Sequence, residues 1–308
     1  MTNAIPEPSV LQAVQLFLSF CAARNDSPNT LRAYNADLLT FVCCVGHDTP
    51  VSAITRKMIR SYLMSLGADL ENSSVLRKVA CVRSFCAWLL RERYLEANPC
   101  EGILGPRRHQ TLPDVPSEAD MKRLLDGTIP GPCPSRDRAV LELIYSCGLR
   151  ASEAAGVNID DFKNIRTLLV RGKGRKERMV PVGRMARRAV RKWKSQRKGM
   201  LRFHPKTKAL FFSIGRGVNC ERLDVRSIHR IVKRAAIAKG LPPYHPHQLR
   251  HACATHMHDH GAPIQAIAAL LGHEKVSTTA NTYTRVSSGR MLAVYNQAHP
   301  HAAKRRKQ

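Results

Sequence analysis

Between Asn98 and Pro116 the chain drops the helical periodicity that runs through most of what precedes it, and the stretch is punctuated by Pro99, Gly102, Pro106, Pro113 and Pro116. Proline fixes one backbone torsion and removes an amide donor, so a helix cannot run through this segment. The sequence is therefore expected to form two bodies joined by a linker, and 308 residues are enough for each to bury its own core. Residues 1–105 form the first body, 106–116 the linker, 117–300 the second body, and 301–308 a basic tail. Apolar residues recur at helical spacing from Val10 to Ala23, Thr30 to Val45, Thr55 to Leu66 and Ser74 to Arg93, which predicts a small all-helical first domain. Ser117-Glu118-Ala119-Asp120 has the pattern of a helix start and opens the second.

The second body is mostly helical with a small β component. Thr167-Leu168-Leu169-Val170-Arg171 and Arg178-Met179-Val180-Pro181-Val182 are strand-like, and they flank Gly172-Lys173-Gly174-Arg175-Lys176. That arrangement predicts a hairpin with a basic tip, in which Arg171, Arg175 and Lys176 are expected to meet phosphates. A short strand is also expected at Leu210-Phe211-Phe212-Ser213. His247 and Arg250 lie three residues apart after Pro246, a favourable first helical residue, so they share one helix face near a positive dipole end. Leu270-Leu271-Gly272-His273 reads as a helix closed by a glycine cap that presents His273.

Arg150, Lys173, His247, Arg250, His273 and Tyr283 together supply what the opening of a phosphodiester requires. Two guanidinium forks suit the non-bridging oxygens and the charge that develops on them. A lysine ammonium is a plausible proton donor to the departing 5′-oxygen, and two imidazoles suit the flanks of the phosphate. A tyrosine hydroxyl that attacks phosphorus keeps the bond energy in an enzyme ester, so strands can be rejoined without ATP. No metal or other cofactor is expected. Each piece alone has a bland reading: a His-x-x-Arg pair as a solvated helix face, Gly-Lys-Gly as a turn, a late tyrosine as packing, and Arg150 as a helix-end arginine satisfying carbonyls. The ordered set favours the phosphate.

These residues sit in stretches that resemble the tyrosine recombinases of the phage integrase family, and the Xer-type enzymes in particular. The matching stretches are Gly148-Leu149-Arg150-Ala151-Ser152-Glu153, Gly172-Lys173-Gly174 with Lys176-Glu177-Arg178, His247-Gln248-Leu249-Arg250-His251, Leu271-Gly272-His273 and Tyr283-Thr284. The likeness extends to Ser27-Pro28-Asn29-Thr30 with Tyr34 and Asp37, and to the ending Tyr295-Asn296-Gln297-Ala298-His299-Pro300. It implies an N-terminal SAM-like core-binding domain and a catalytic domain, which close on DNA as a C-shaped clamp. It also implies Tyr283 as nucleophile, with Arg150, Lys173, His247, Arg250 and His273 assisting and Glu153 supporting.

By the same resemblance the reaction is site-specific recombination through a 3′-phosphotyrosine and a Holliday junction. It would run in a homo- or hetero-tetramer on synapsed sites, with a paralogous recombinase or a DNA translocase as further partners. Chromosome or plasmid dimer resolution and mobile-element integration both fit. A type IB topoisomerase-like enzyme and a non-catalytic DNA-binding relative share parts of the pattern. One departure from the family is local: Tyr283 lies ten positions after His273 where nine is usual, and on a helix the extra residue turns the hydroxyl by about 100°. The segment at Met291, Leu292, Val294 and Tyr295 is amphipathic and suits either docking on a neighbouring protomer or packing on its own domain.

Composition agrees with a polyanionic partner. Fifty basic residues against twenty-three acidic ones give a net charge of +27, far beyond what a fold needs. No apolar run approaches a membrane span and no secretory leader is expected, which points to a cytoplasmic, nucleoid-associated protein. The ten cysteines contain no Cys-x-x-Cys pair, and Cys43-Cys44 read as packing residues. His256, His258 and His260 alternate on a predicted helix, so they cannot converge on one metal and read as a helix end facing DNA or solvent.

Overall fold

The computed structural model describes residues 7–66, 70–103, 115–172, 176–201, 207–214, 221–272 and 288–301. The chain divides into two compact units, Met1–Thr111 and Leu112–Gln308.

The first unit contains α1 (Val10–Ala23), α2 (Pro28–Val45), α3 (Arg56–Ser65) and α4 (Asn72–Arg91). Each of the first three begins where a hydroxyl can accept an otherwise unpaired amide: Ser9 from Gln12, Ser27 from Thr30 and Thr55 from Met58. Phe17, Phe41, Tyr62, Phe85 and Trp88 fill the core. Asp37 is buried there, paired with Lys78 at 3.2 Å and with Arg77. The inward face of α2 is Leu38, Phe41 and Val42 at helical spacing, which leaves Cys43 and Cys44 exposed rather than packed.

The second unit is mainly helical with a small sheet. It contains α5 (Glu118–Leu125), α6 (Pro134–Cys147), α7 (Ala151–Gly156), β1 (Phe162–Asn164), β2 (Thr167–Arg171), β3 (Glu177–Pro181) and α8 (Arg184–Met200). These are followed by α9 (Val225–Ala238), α10 (Pro246–Asp259), α11 (Ile264–Leu271) and α12 (Ser288–Ala298). Helix α6 is buried on every side from Ala139 to Cys147, so it forms the axis on which the other elements pack. The sheet is antiparallel in the order β1-β2-β3, with Thr167 opposite Pro181 and Arg171 opposite Glu177. The strand expected at Leu210-Ser213 is replaced by isolated bridges, Asn158 with Ala209 and Phe212 with Arg222. The Leu210 carbonyl instead accepts the Trp193 indole N–H at 2.7 Å. Among the described residues no helix is long and apolar enough to cross a membrane.

Helix α12 packs on its own domain. Tyr295 is fully buried, with its hydroxyl 2.5 Å from Ser146 Oγ, while His299 Nε2 donates to the Tyr145 carbonyl at 3.3 Å. His299 Nδ1 accepts the His301 amide at 3.0 Å, and His301 Nδ1 lies 3.1 Å from Glu142 Oε2. His256 is also buried, 2.9 Å from the Tyr145 hydroxyl, so it faces the core rather than DNA or solvent. His260 at the end of α10 pairs with Glu118 at 2.6 Å.

Both ring nitrogens of His299 are satisfied only while the ring is neutral. Burial first, and then the nearby His301, pull its pKa down to about 3. A histidine whose folded pKa lies below its unfolded value lowers stability as pH falls, because the unfolded chain binds the extra proton. From about pH 6.5 down to pH 5 this group should therefore cost about 2 kcal/mol. His299→Gln is expected to lower that acid loss by about the same amount, measured by urea unfolding of the full chain at pH 7 and pH 5.

Candidate active site

Two glycine-capped helix ends and one helix start converge to build the site. Helix α6 is closed by Gly148 at φ 60° and ψ 35°, and α11 by Gly272 at φ 64° and ψ 52°. Both are left-handed, where glycine avoids the Cβ strain. At Gly148 a Cβ would also fall 2.5 Å from Leu271 Cδ2, so the same residue lets the two helix ends approach. This turn separates Arg150 from α6. Arg150 is the residue before α7, and its guanidinium donates to Glu153.

Arg250 projects from the first turns of α10, which begins with Pro246 at its N-terminus. Its guanidinium is 3% exposed and ties the two helix ends together, donating to the Gly148 carbonyl at 2.6 Å and to the Leu271 carbonyl at 2.7 Å. Burial first, then the charge of Arg150, lower its pKa to about 10, so it remains cationic at neutral pH. At the centre lies the buried Glu153. Its carboxylate accepts the Arg150 amide and guanidinium, each at 2.9 Å, and the two terminal nitrogens of Arg178 at 2.8 and 2.9 Å. Arg250 Nη1 is 3.6 Å away. Burial, the largest single influence on Glu153, favours its neutral form. The hydrogen bonds from Arg178 and the Arg150 amide, with the Arg178 and Arg250 charges, outweigh it and hold the carboxyl below its ordinary range.

Arg178 on β3 is the residue that sequence reasoning passed over. It grips Glu153 with two nitrogens and donates through Nε to the Leu270 carbonyl at 2.9 Å, linking the sheet to the end of α11. Its only trace in the sequence is its place directly after Lys176-Glu177. Three guanidiniums thus surround one carboxylate. Removing that carboxylate leaves the largely buried charges of Arg178 and Arg250 unopposed, so Glu153→Ala is expected to destabilise the unit by about 3 kcal/mol in urea unfolding, while Glu153→Gln, which keeps hydrogen-bonding atoms, costs less.

His247 is exposed on the same face of α10, and its Nε2 lies 2.9 Å from Nε2 of His251 one turn later. Burial is the main cause that lowers the pKa of each; the neighbouring His251 and then Arg250 add to the effect on His247, and Arg250 to that on His251. Arg171 is engaged by Asp161 at 2.5 Å and Glu177 at 3.0 Å, so its charge is already opposed at the hairpin base. Lys176 is exposed where the hairpin closes, its carbonyl accepting the Gly172 amide at 2.8 Å. Lys173, Arg175, His273 and Tyr283 lie outside the described residues. Arg150, Arg250, Glu153 and His247 therefore gather around one end of the sheet and the adjoining helix ends. Their electrostatic balance, with three guanidiniums against one carboxylate, is suited to an anion.

Comparison with known proteins agrees with this chemistry. Residues 116–290 match the phage integrase family, and residues 14–93 match the phage integrase N-terminal SAM-like domain. Tyrosine recombinase XerC of Pelobacter propionicus is 39% identical over 300 residues, covering 91% of this chain and 92% of its own. Tyrosine recombinase XerC of Mycobacterium sp. strain JLS is 34% identical over 305 residues, covering 96% and 99%. Among solved structures, a lambda integrase tetramer bound to a Holliday junction aligns with a TM-score of 0.71 at 17% identity, over 90% of this chain and 81% of that one. The Tn1549 transposon integrase in complex with circular intermediate DNA aligns at 0.69 and 18% identity, over 92% and 98%. The chain belongs to the phage integrase family and is a Xer-like tyrosine recombinase within it.

Proposed function

We propose that this site-specific recombinase holds the scissile phosphate between Arg150 and Arg250 and attacks it with Tyr283. The observation that carries the reading is the cluster of Arg150, Arg178 and Arg250 around the buried Glu153 carboxylate. Glu153 and Arg178 set the frame, and the excess positive charge is left for a phosphate. In the cleavage step the Tyr283 hydroxyl bonds to phosphorus and releases its proton to water, the bond to the 5′-oxygen breaks, and Lys173 gives that oxygen its proton. His247 and His273 flank the phosphate and hydrogen-bond its oxygens. The reverse step, in which a 5′-hydroxyl from another strand displaces the tyrosine, restores a phosphodiester with no net bond lost. Exchange of one strand pair gives a Holliday junction, and the second exchange resolves it.

In this reading residues 1–105 are the core-binding domain, 106–116 the linker and 117–300 the catalytic domain, with the basic 301–308 tail and the hairpin residues Arg175 and Lys176 adding phosphate contacts. Double-stranded recombination sites synapsed by four protomers are the substrate, in a cytoplasmic, nucleoid-associated setting.

The role of Lys173 is separable by chemistry. Lys173→Ala is expected to slow cleavage by about 10²- to 10⁴-fold, the usual contribution of a positioned acid. A substrate with sulfur in place of the bridging 5′-oxygen has a leaving group that needs no proton. On that substrate Lys173→Ala should recover to within about tenfold of the unsubstituted protein, and Tyr283→Phe should not recover at all. Failure of sulfur to rescue Lys173→Ala removes the lysine from the acid role.

A further inference from the structure

On α10, residues 247, 250 and 251 fall on one face at the spacing of a helical turn. Arg250 turns inward to its two carbonyls, while His247 and His251 remain in contact above it. Their rings meet edge to face, with centroids 4.3 Å apart and planes at 73°, and the two Nε2 atoms lie 2.9 Å from each other. A neutral imidazole carries a proton on one nitrogen and a lone pair on the other. Two neutral rings can therefore hydrogen-bond through their Nε2 atoms only as opposite tautomers, one protonated at Nε2 and the other at Nδ1. The surroundings favour that neutral pair. Both rings are partly buried, and Arg250 on α10 with Arg150 at the start of α7 brings positive charge to His247.

We propose that His251 is a positioning residue for His247, fixing both the rotamer and the tautomer with which His247 meets the scissile phosphate. A ring left to rotate would present lone pair or proton, Nδ1 or Nε2, in proportion to small energy differences, and only a proton-bearing nitrogen facing the phosphate stabilises its oxygens. With its Nε2 accepting from the Nε2–H of His251, His247 carries its proton on Nδ1, the nitrogen left to face the phosphate, before DNA arrives. Its consequence for rate rests on the recombinase reading above, but the tautomer pairing itself does not.

Two measurements on the full chain test the inference. Nitrogen-15 NMR of the free protein at neutral pH should show His247 as one tautomer in the wild type, a mixture in His251→Phe, and one tautomer again in His251→Gln, whose amide keeps a donor and an acceptor. Single-turnover cleavage of a nicked suicide substrate should slow by about 5- to 20-fold in His251→Phe with DNA binding within about twofold, and return to within about threefold of wild type in His251→Gln. A wild-type His247 that populates both tautomers overturns the proposal. So does a His251→Phe rate equal to wild type, or Phe and Gln variants that are equally slow. Absence of any adduct in the wild type is a failure of the recombinase reading, and the NMR result then decides the histidine pairing alone.

Discussion

Tyr283→Phe is expected to bind a recombination site with affinity within about twofold of wild type and to form no covalent adduct with it. The substitution deletes one oxygen and keeps the ring. Binding in a protein of this kind comes mainly from phosphate contacts by basic side chains, and a net charge of +27 supplies many of them. Chemistry requires the oxygen outright, because no other group in the proposed mechanism forms the ester. The sequence holds one residue more than is usual between His273 and Tyr283, and an adduct from the unsubstituted protein shows that the longer segment delivers the hydroxyl. Filter binding and denaturing gels on one suicide substrate read both halves of this expectation.

Arg250→Ala is expected to lower cleavage at least 100-fold while costing only about 2 kcal/mol of stability. The two effects differ because they draw on different interactions. In the free protein Arg250 satisfies the Gly148 and Leu271 carbonyls, and its loss leaves two acceptors short of a donor. That loss is partly offset, since removing one of three crowded guanidiniums relieves repulsion from Arg150 and Arg178. With a phosphate bound the offset disappears, because the same charge becomes attractive and the fork geometry becomes necessary. Arg250→Lys keeps the charge and loses the fork. It is expected to remain at least tenfold impaired, which separates geometry from charge in single-turnover assays.

Much of this architecture was legible from local pattern. The periodicity of α1 to α4, the serine cap before α5, the glycine ends at Gly148 and Gly272 and the β2–β3 hairpin all depend on residues within a few positions of one another. Features set by distant residues were not legible. Arg171 stands at the hairpin base as the pattern suggests, but its two carboxylate partners, Glu177 opposite it and Asp161 alongside, are set by strand register and by a residue ten positions earlier. Arg178 gained a role only when Glu153, twenty-five residues earlier, came within 2.8 Å. His256 reads as surface on a helical wheel, yet Tyr145, from the central helix α6, covers that position. Cys43 and Cys44 read as packing residues by type, and the inward stripe of α2 leaves them out. The hairpin pairing was visible, whereas β1 was not, since a strand of three residues carries too little alternation to announce itself.

The most direct test of the central claim is to identify the bond that the protein makes with DNA. Wild-type protein trapped on a nicked suicide site, digested with trypsin and nuclease, and examined by mass spectrometry should carry a nucleotide on the peptide from Val276 to Arg285, attached through a 3′-phosphate to Tyr283. A nucleotide attached elsewhere in the chain, a 5′-linkage, or cleavage on a demonstrated recognition site with no protein attached would contradict the account.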